Sequence, residues 1–220
     1  MVKGASALGL QLDSGKIQAF RLYREELVRW SARTNLTALR DPEEIVREGF
    51  LDSLACLLSV PPETSRVLDI GSGAGFPAIP LKLVRPTLEV TLVEASRKKT
   101  TFLRHIVRSL DLQEVRVVQR RAEDLAADPA EQGKYDLAFA RAVAPLSEQV
   151  QLAAPFLRPG GLFLAQVGPG PAWPEASICA EAEDFEIAGA FALPPILGRP
   201  DRRVLELRRL RGRSAAQCST

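Results

Sequence analysis

The pattern of apolar and polar positions divides the chain at about residue 66. Before that point, apolar side chains recur at spacings of three and four in a stretch that contains Ile17, Phe20, Tyr23, Leu27 and Trp30. Charged residues fill the positions between them, which is the pattern of an amphipathic helix with one buried face. The first third of the chain is therefore predicted to be helical.

A second helix is predicted from Asp41 to about Ser59. Asp41 can accept hydrogen bonds from the first free backbone N–H groups, and Pro42 suits the first helical position because no N–H donor is needed there. Pro61 and Pro62 then prevent the helix from continuing.

From residue 66 onward, short β-rich runs alternate with amphipathic stretches, as they do in parallel βαβ units. We predict strands at 66–70, 89–94, 115–119, 135–140 and 161–167, with helices near 76–84, 97–110, 121–127 and 145–157. After a proline-rich loop, the pattern predicts a helix and then two strands, near 184–193 and 202–210, which can pair as an antiparallel hairpin at a sheet edge. The expected fold class is α/β, a doubly wound and mostly parallel seven-stranded sheet with helices on both faces.

Composition narrows the possible functions only a little. The 220-residue chain is 46% hydrophobic, enough for one sizeable core, and its formal net charge is only +2. Binding to nucleic acid would therefore need a local basic patch. Cys56, Cys179 and Cys218 are far apart and form no CxxC or metal-ligand pattern with His105. No apolar stretch reaches the roughly 18 residues of a membrane span, so we expect a cytoplasmic protein without a membrane partner. We also expect a monomer without a metal.

A glycine-rich segment follows the first strand of the predicted sheet. Gly71, Gly73 and Gly75 come directly after the apolar run 67–70, and a helix is predicted to follow them. Glycine permits a tight turn and a close approach of the backbone to a ligand, and the next helix offers free N–H groups at its N-terminus. Open α/β sheets bind ligands at this point, although dinucleotide folds and ordinary turns also contain G-x-G.

The glycine spacing and an acidic residue before it favour S-adenosylmethionine as the ligand over a dinucleotide. The glycine spacing is GxGxG rather than GxGxxG, and Asp69 precedes the first glycine, where a carboxylate can attract a cationic ligand. Glu94 closes the second strand about twenty residues beyond the loop, where an acidic side chain can hold both hydroxyls of a ribose; a surface or helix-capping carboxylate is the alternative. The third strand leads into 120–124, where an adenine edge would be recognised, although Glu123 and Asp124 also suit a helix N-terminus.

Several further segments form a specific combination. They are Asn35-Leu36-Thr37, Phe50-Leu51-Asp52-Ser53-Leu54, Leu68 to Pro77 with Ile79-Pro80-Leu81, Arg97-Lys98-Lys99, and Arg141 to Leu146. In this combination most of the chain resembles the RsmG (GidB) family of methyltransferases, which methylate N7 of a guanine in the decoding region of 16S ribosomal RNA.

The resemblance implies a class I Rossmann-like methyltransferase fold, S-adenosylmethionine as cofactor, and 16S ribosomal RNA or the small ribosomal subunit as partner. We expect an N-terminal helical extension at 1–62, the methyltransferase domain at 63–210, and a disordered tail at 211–220. The residues expected to contact the cofactor are Asp69, Gly71, Ser72, Gly73, Gly75, Phe76, Glu94, Ala95, Ala122, Glu123 and Arg141.

Arg141 is the first candidate for positioning the substrate, because it follows the carboxyl end of the fourth strand. It can bind a phosphate or guanine O6, or it can be a structural arginine that pairs with a carboxylate or with backbone carbonyls. Guanine N7 has an exposed lone pair and no proton to lose, so methyl transfer needs positioning and charge management more than a general base. His105 lies among apolar residues of a predicted helix and is interpreted as a packing residue.

Two groups of basic residues are candidates for contacts with phosphates. The first comprises Arg21, Arg24, Arg29, Arg33, Arg40, Arg97, Lys98 and Lys99. Interleaved acidic residues make a solvated face an equally good interpretation of that group. The second comprises Arg202, Arg203, Arg208, Arg209, Arg211 and Arg213, which we interpret as a solvated edge strand and tail.

The chain departs from the family pattern at three places. Gly49 stands where the family usually has histidine, Val167-Gly168 where it has Lys-Gly, and Ala78 where it has glycine. The first two departures remove polar residues from the expected substrate side. Two alternatives therefore stand beside the ribosomal RNA methyltransferase: the same cofactor with a different acceptor, or a non-catalytic RNA- or nucleotide-binding module that kept the fold.

Overall fold

The computed structural model describes residues 1–140, 146–167, 184–194 and 202–210. Its strands are β1 (Arg66–Ile70), β2 (Glu89–Val93), β3 (Val115–Val118), β4 (Tyr135–Ala140), β5 (Leu157–Val167), β6 (Phe185–Ala192) and β7 (Arg203–Arg209). They form one sheet in the order β3-β2-β1-β4-β5-β7-β6. The first five strands pair in parallel, whereas β7 is antiparallel to β5 and β6 is antiparallel to β7. The predicted doubly wound fold is confirmed, including the antiparallel hairpin at the sheet edge.

Helices precede the sheet and alternate with its parallel strands. They are α1 (Val2–Ala7), α2 (Ser14–Ser31), α3 (Pro42–Glu44), α4 (Asp52–Ala55), α5 (Ala78–Val84), α6 (Arg97–Ser109), α7 (Ala122–Ala126) and α8 (Leu146–Ala153). A π-helical stretch, Ile45–Leu51, joins α3 to α4, and 3-10 turns occur at Cys56–Ser59 and Pro129–Glu131. The segment predicted as one helix from Asp41 is thus helical, but its hydrogen-bonding pattern changes along its length. Asp41 caps it as predicted, since Oδ2 accepts from the backbone N–H groups of Glu43 and Glu44.

Two predicted boundaries were wrong. The helix predicted to run to residue 157 ends at Ala153, because Pro155 has no N–H to continue the helical ladder. Leu157 instead begins β5 and pairs with Tyr135, so that strand starts earlier than the predicted residue 161. α1 lies in the first third of the chain, which was predicted to be helical. The helix expected before β6 and the tail at 211–220 lie outside the described residues.

Side chains of the central strands alternate between two buried faces. In β4, Phe139 packs on the face covered by the N-terminal helices, and Ala138 packs on the face covered by α7 and α8. Tyr23 and Leu27 of α2 are fully buried in the same core cluster as the first of these faces. The helices before β1 and the sheet therefore share a core, and the division of the chain at residue 62 stays a prediction. Within the described segments, no helix combines the length and apolar character that crossing a membrane requires.

Glu131 is a buried carboxylate in a polar cluster beside the sheet. Its Oε2 accepts hydrogen bonds from Arg116 Nη2 and Tyr135 Oη, each at 2.6 Å, and only 4% of the residue is exposed. Burial alone would raise the pKa of Glu131, but these hydrogen bonds and the charges of Arg116 and Lys134 outweigh it and lower the pKa to about 2. The ionised carboxylate therefore stabilises the fold.

Acid should remove this contribution. Below the ordinary pKa of 4.5, the unfolded chain takes up a proton that the folded chain still rejects, so the free energy of unfolding should fall by about 2 kcal/mol between pH 6 and pH 3. Urea unfolding across that range should show a smaller decrease in Glu131→Gln than in the wild type. The exposed Glu63 gives the control Glu63→Gln, which should keep the wild-type decrease. An identical pH dependence in all three proteins would contradict the assignment.

Candidate active site

The glycine loop joins β1 to α5 and is fixed to the carboxyl end of β2. The backbone N–H groups of Gly71 and Ser72 both donate to the carbonyl oxygen of Val93, at 2.8 and 3.0 Å. Ser72 Oγ donates to the carbonyl oxygen of Asp69 at 2.8 Å. Gly73 adopts a φ of +55°, in the left-handed region that favours glycine. These bonds hold the loop at the end of the strands, where α/β sheets bind ligands.

Glu94 connects this loop to the start of α6. Its Oε2 accepts from the Gly73 N–H at 3.0 Å, and its Oε1 accepts from the Ser96 N–H at 2.8 Å. Only 8% of Glu94 is exposed. A carboxylate has about four lone-pair positions, so these two bonds leave acceptor capacity for a ligand. Ligand binding and helix capping, the two roles that the sequence left open for Glu94, are thus compatible in one side chain.

Tyr23 of α2 supports the loop from behind. Its buried hydroxyl donates to the carbonyl oxygen of Ala74 at 2.5 Å, and its ring packs against Phe50 and Phe76. A Cβ atom built on Gly75 would lie 2.6 Å from the Tyr23 hydroxyl and 2.5 Å from Ile79 Cδ1. Gly75 therefore has a packing role, because only glycine lets the loop approach α2 and α5 this closely.

A cavity of about 590 Å³ opens at the end of the sheet, a volume typical of small-molecule sites. Eight of the predicted cofactor residues line it: Gly71, Ser72, Gly73, Phe76, Glu94, Ala95, Ala122 and Glu123. Asp69 is fully buried beneath the loop and is not part of the lining, and Gly75 packs behind the loop. Arg141 lies outside the described residues. The structure thus brings together residues that follow β1, β2 and β3, and their contacts with a cofactor stay predictions.

The rest of the cavity wall includes residues that the sequence patterns did not identify as a unit. Residues 36–39 and Glu48 contribute from the N-terminal region, and Arg202 contributes from just before β7. Arg202 Nη1 lies 2.6 Å from Oδ2 of the fully buried Asp52, and Nη2 lies 3.6 Å from Glu48 Oε2. The interpretation of Arg202 as part of a solvated edge was wrong, because it pairs with a buried carboxylate. Asp52 belongs to a recognised motif, but nothing in the local pattern indicates a partner 150 positions away.

The first basic group separates into two sets. Arg21 and Arg29 pair with glutamates of their own helix, which fits the solvated-face interpretation. Lys99 lines the cavity together with Arg120 and Arg121. Lys99 also belongs to the first turn of α6, which holds three basic residues and no acidic one. Cations at a helix N-terminus are opposed by the helix dipole. These three residues therefore do not stabilise α6, but an anionic ligand would be stabilised by their charges.

His105 lies away from the cavity. Its Nε2 is 2.6 Å from Glu26 Oε2, and its ring packs against Trp30 with a centroid distance of 5.2 Å. It joins α6 to α2, which agrees with the predicted packing role. The sequence did not identify its acidic partner.

The departures from the family pattern have different structural settings. Gly49 is buried, and a Cβ built there would lie 2.7 Å from Cζ of Phe76. Any larger side chain at position 49 therefore requires the Phe76 ring to move. Val167 ends β5 opposite Arg203 and is not part of the cavity lining. Ala78 is buried in the first turn of α5.

Comparisons with known proteins agree on one family. Residues 16–190 match the GidB family model, described as rRNA small subunit methyltransferase G. Relatives named "Ribosomal RNA small subunit methyltransferase G" include one from Roseiflexus castenholzii, 49% identical over 76% of this chain and 72% of the relative, and one from Chloroflexus aggregans, 44% identical over 78% and 72%. A solved S-adenosylmethionine-dependent methyltransferase from Aquifex aeolicus has the same fold, with a TM-score of 0.59 over 80% of this chain and 97% of that one, at 16% identity.

Proposed function

This chain belongs to the rRNA small subunit methyltransferase G (GidB) family, and we propose that it transfers a methyl group from S-adenosylmethionine to N7 of a guanine in 16S ribosomal RNA. The resemblance found in the sequence is confirmed by this membership. The observation that carries the proposal is the single cavity that joins the glycine loop and Glu94 to a second, charged wall at Glu48 and Arg202. One part can hold a cofactor, and the other can hold the base that receives the methyl group.

The residues present fit S-adenosylmethionine. Glu94 is nearly buried and retains acceptor positions, which suits the two hydroxyls of a ribose. The backbone of Gly71 to Gly73 lets the methionine part approach the loop, and the carboxyl group of Asp69 is buried beneath it. Ala122 and Glu123 at the start of α7 are suited to the adenine. When bound, the cofactor supplies an electrophilic methyl group on a positively charged sulfur.

The transfer needs no proton acceptor from the protein. A bound S-adenosylmethionine would supply its methyl group to the lone pair of guanine N7, and the sulfur would keep the electron pair of the broken carbon–sulfur bond. Because N7 carries no proton, no residue of the protein would have to remove one. The chain's task is to hold the base in line with the methyl group and to keep water out of the cavity.

The basic residues beside the cavity support an RNA acceptor. Lys99, Arg120 and Arg121 line the cavity, and Arg97 and Lys98 extend this basic rim along the first turn of α6. Such a cluster can hold the phosphates on either side of a guanine that enters the cavity. We further propose that the protein acts as a monomer in the cytoplasm, where small ribosomal subunits are found.

Methyl transfer to small ribosomal subunits tests the proposal. Subunits and extracted 16S RNA from cells that lack this protein would be incubated with labelled S-adenosylmethionine, and the modified base would be mapped. Incorporation at N7 of a single guanine is expected. Transfer to another class of molecule would favour a different acceptor, and cofactor binding without any transfer would favour the non-catalytic module.

The Arg141→Ala variant tests the role expected of Arg141. If Arg141 positions the substrate, the variant should bind S-adenosylmethionine normally in calorimetry and should methylate subunits at least about 10-fold more slowly, as expected when one charged hydrogen bond is lost. Arg108 on α6 is outside the cavity lining, and Arg108→Ala is the matched control. Weakened cofactor binding in Arg141→Ala would instead indicate that Arg141 contacts the cofactor.

A further inference from the structure

Glu48 and Arg202 form a charged pair in the cavity wall, although they are far apart in the sequence. Their closest atoms, Glu48 Oε2 and Arg202 Nη2, are 3.6 Å apart, and the side chains are 13% and 21% exposed. Both line the same cavity as the glycine loop. A carboxylate and a guanidinium therefore stand side by side in the cavity wall. Glu48 Oε1 also accepts from Arg47 Nη2 at 3.3 Å, and a carboxylate that makes such contacts still has lone-pair positions for a ligand.

Other groups hold this pair in place. Arg202 Nη1 is 2.6 Å from Oδ2 of the fully buried Asp52, and Gln166 Nε2 donates to the Asp52 carbonyl oxygen at 2.9 Å. Glu48 lies in the π-helical stretch, and such stretches occur frequently at functional sites. Withdrawing these charges from water is costly. An apolar wall would avoid that cost. The buried charges therefore indicate that this part of the cavity binds a polar ligand.

The pattern of donors and acceptors matches the Watson–Crick edge of guanine. That edge presents two parallel donors, N1–H and the N2 amino group, beside one acceptor, O6. A carboxylate accepts from both donors at once, and an arginine next to it donates to O6. Adenine presents only one donor, its amino group, beside one acceptor, N1, so it would leave one carboxylate oxygen without a donor. Enzymes that act on an extruded base recognise it through this edge.

We propose that Glu48 and Arg202 select the acceptor guanine, with Glu48 accepting from N1–H and the N2 amino group and Arg202 donating to O6. The inference rests on the proposed function and identifies the residues that determine its base specificity. Because N7 lies on a different edge of the purine, this contact leaves N7 free to face the methyl group. Asp52 acts through Arg202 as a positioning residue.

Inosine in place of the acceptor guanosine tests the contact, because inosine keeps O6 and N1–H but lacks the N2 amino group. Small subunits would be reconstituted with ligated 16S RNA that carries either base at the mapped position. The wild type should lose about 10- to 100-fold in kcat/KM on inosine, the effect of a hydrogen bond to a charged group. In Glu48→Gln the guanosine rate should fall, and the difference between the two bases should shrink to less than about 3-fold.

Two controls separate this role from a structural one. Glu48→Gln should keep wild-type binding of S-adenosylmethionine, and Glu43→Gln, which removes an exposed carboxylate of α3, should keep both the activity and the full inosine penalty. An equal inosine penalty in the wild type and Glu48→Gln would overturn the inference alone. The absence of an inosine penalty in the wild type would also overturn the inference, and that measurement does not depend on the folding of any variant. Failure of the wild type to methylate any guanine would overturn the proposed function and this inference together.

Discussion

The Gly73→Asp variant is expected to bind S-adenosylmethionine more than about 100-fold more weakly than the wild type. Gly73 lines the cavity, and its N–H donates to the Glu94 carboxylate. A second carboxylate at this point would enter the ligand space and would repel Glu94, since like charges 4 Å apart interact by about 4 kcal/mol at a protein surface. Isothermal titration calorimetry with the purified protein measures the loss directly.

Gly133 provides a control with the same backbone requirement. Its φ is +59°, close to the +55° of Gly73, and a Cβ there would meet nothing within 4 Å. Gly133 is not part of the cavity lining. Gly133→Asp therefore carries the cost of the left-handed conformation without the cofactor contact, and it should bind S-adenosylmethionine normally. Equal weakening in both variants would show that backbone strain, and not the cavity position, causes the loss.

The Gly75→Ala variant is expected to lower the free energy of unfolding by about 2–4 kcal/mol, from left-handed strain together with overpacking. Its φ is +94°, and the new methyl group would overlap the Tyr23 hydroxyl and Ile79. Urea unfolding followed by circular dichroism gives the change.

Gly9→Ala separates strain from overlap. Gly9 has a φ of +74° but has open space around the position of a Cβ, so this variant should lose only about 1–2 kcal/mol. If Gly75→Ala costs no more than Gly9→Ala, the close approach of the loop to Tyr23 and Ile79 is not required for stability.

The sheet could be predicted from the sequence because each central strand is marked locally. The apolar runs that became β1 and β4 are buried on both faces, as parallel strands between helices must be. The ends of helices and strands were harder to predict. At Leu157, pairing with Tyr135 extends β5 through residues that local periodicity assigned to a helix. The π-helical stretch gives no separate signal, since apolar spacing does not distinguish it from an α-helix.

The meeting of the glycine loop and Glu94 in one cavity could be predicted for the same local reason, because the glycine spacing and the end of β2 are visible in the sequence. Gly75 shows the limit of that reasoning. It belongs to the glycine motif, yet the structure turns it toward Tyr23 and not toward the cavity. The charged wall of the cavity depends on the contact between Glu48 and Arg202, which only the complete tertiary fold brings together.

The contact between Arg202 and Asp52 joins residues that are synthesised 150 positions apart. The glycine loop, β1 and β2 are translated long before position 202, so a nascent chain contains these elements before it contains Arg202. Asp52 and Glu48 can gain their contacts with Arg202 only after that position has been translated. The charged wall of the cavity is therefore completed by one of the last described residues of the chain.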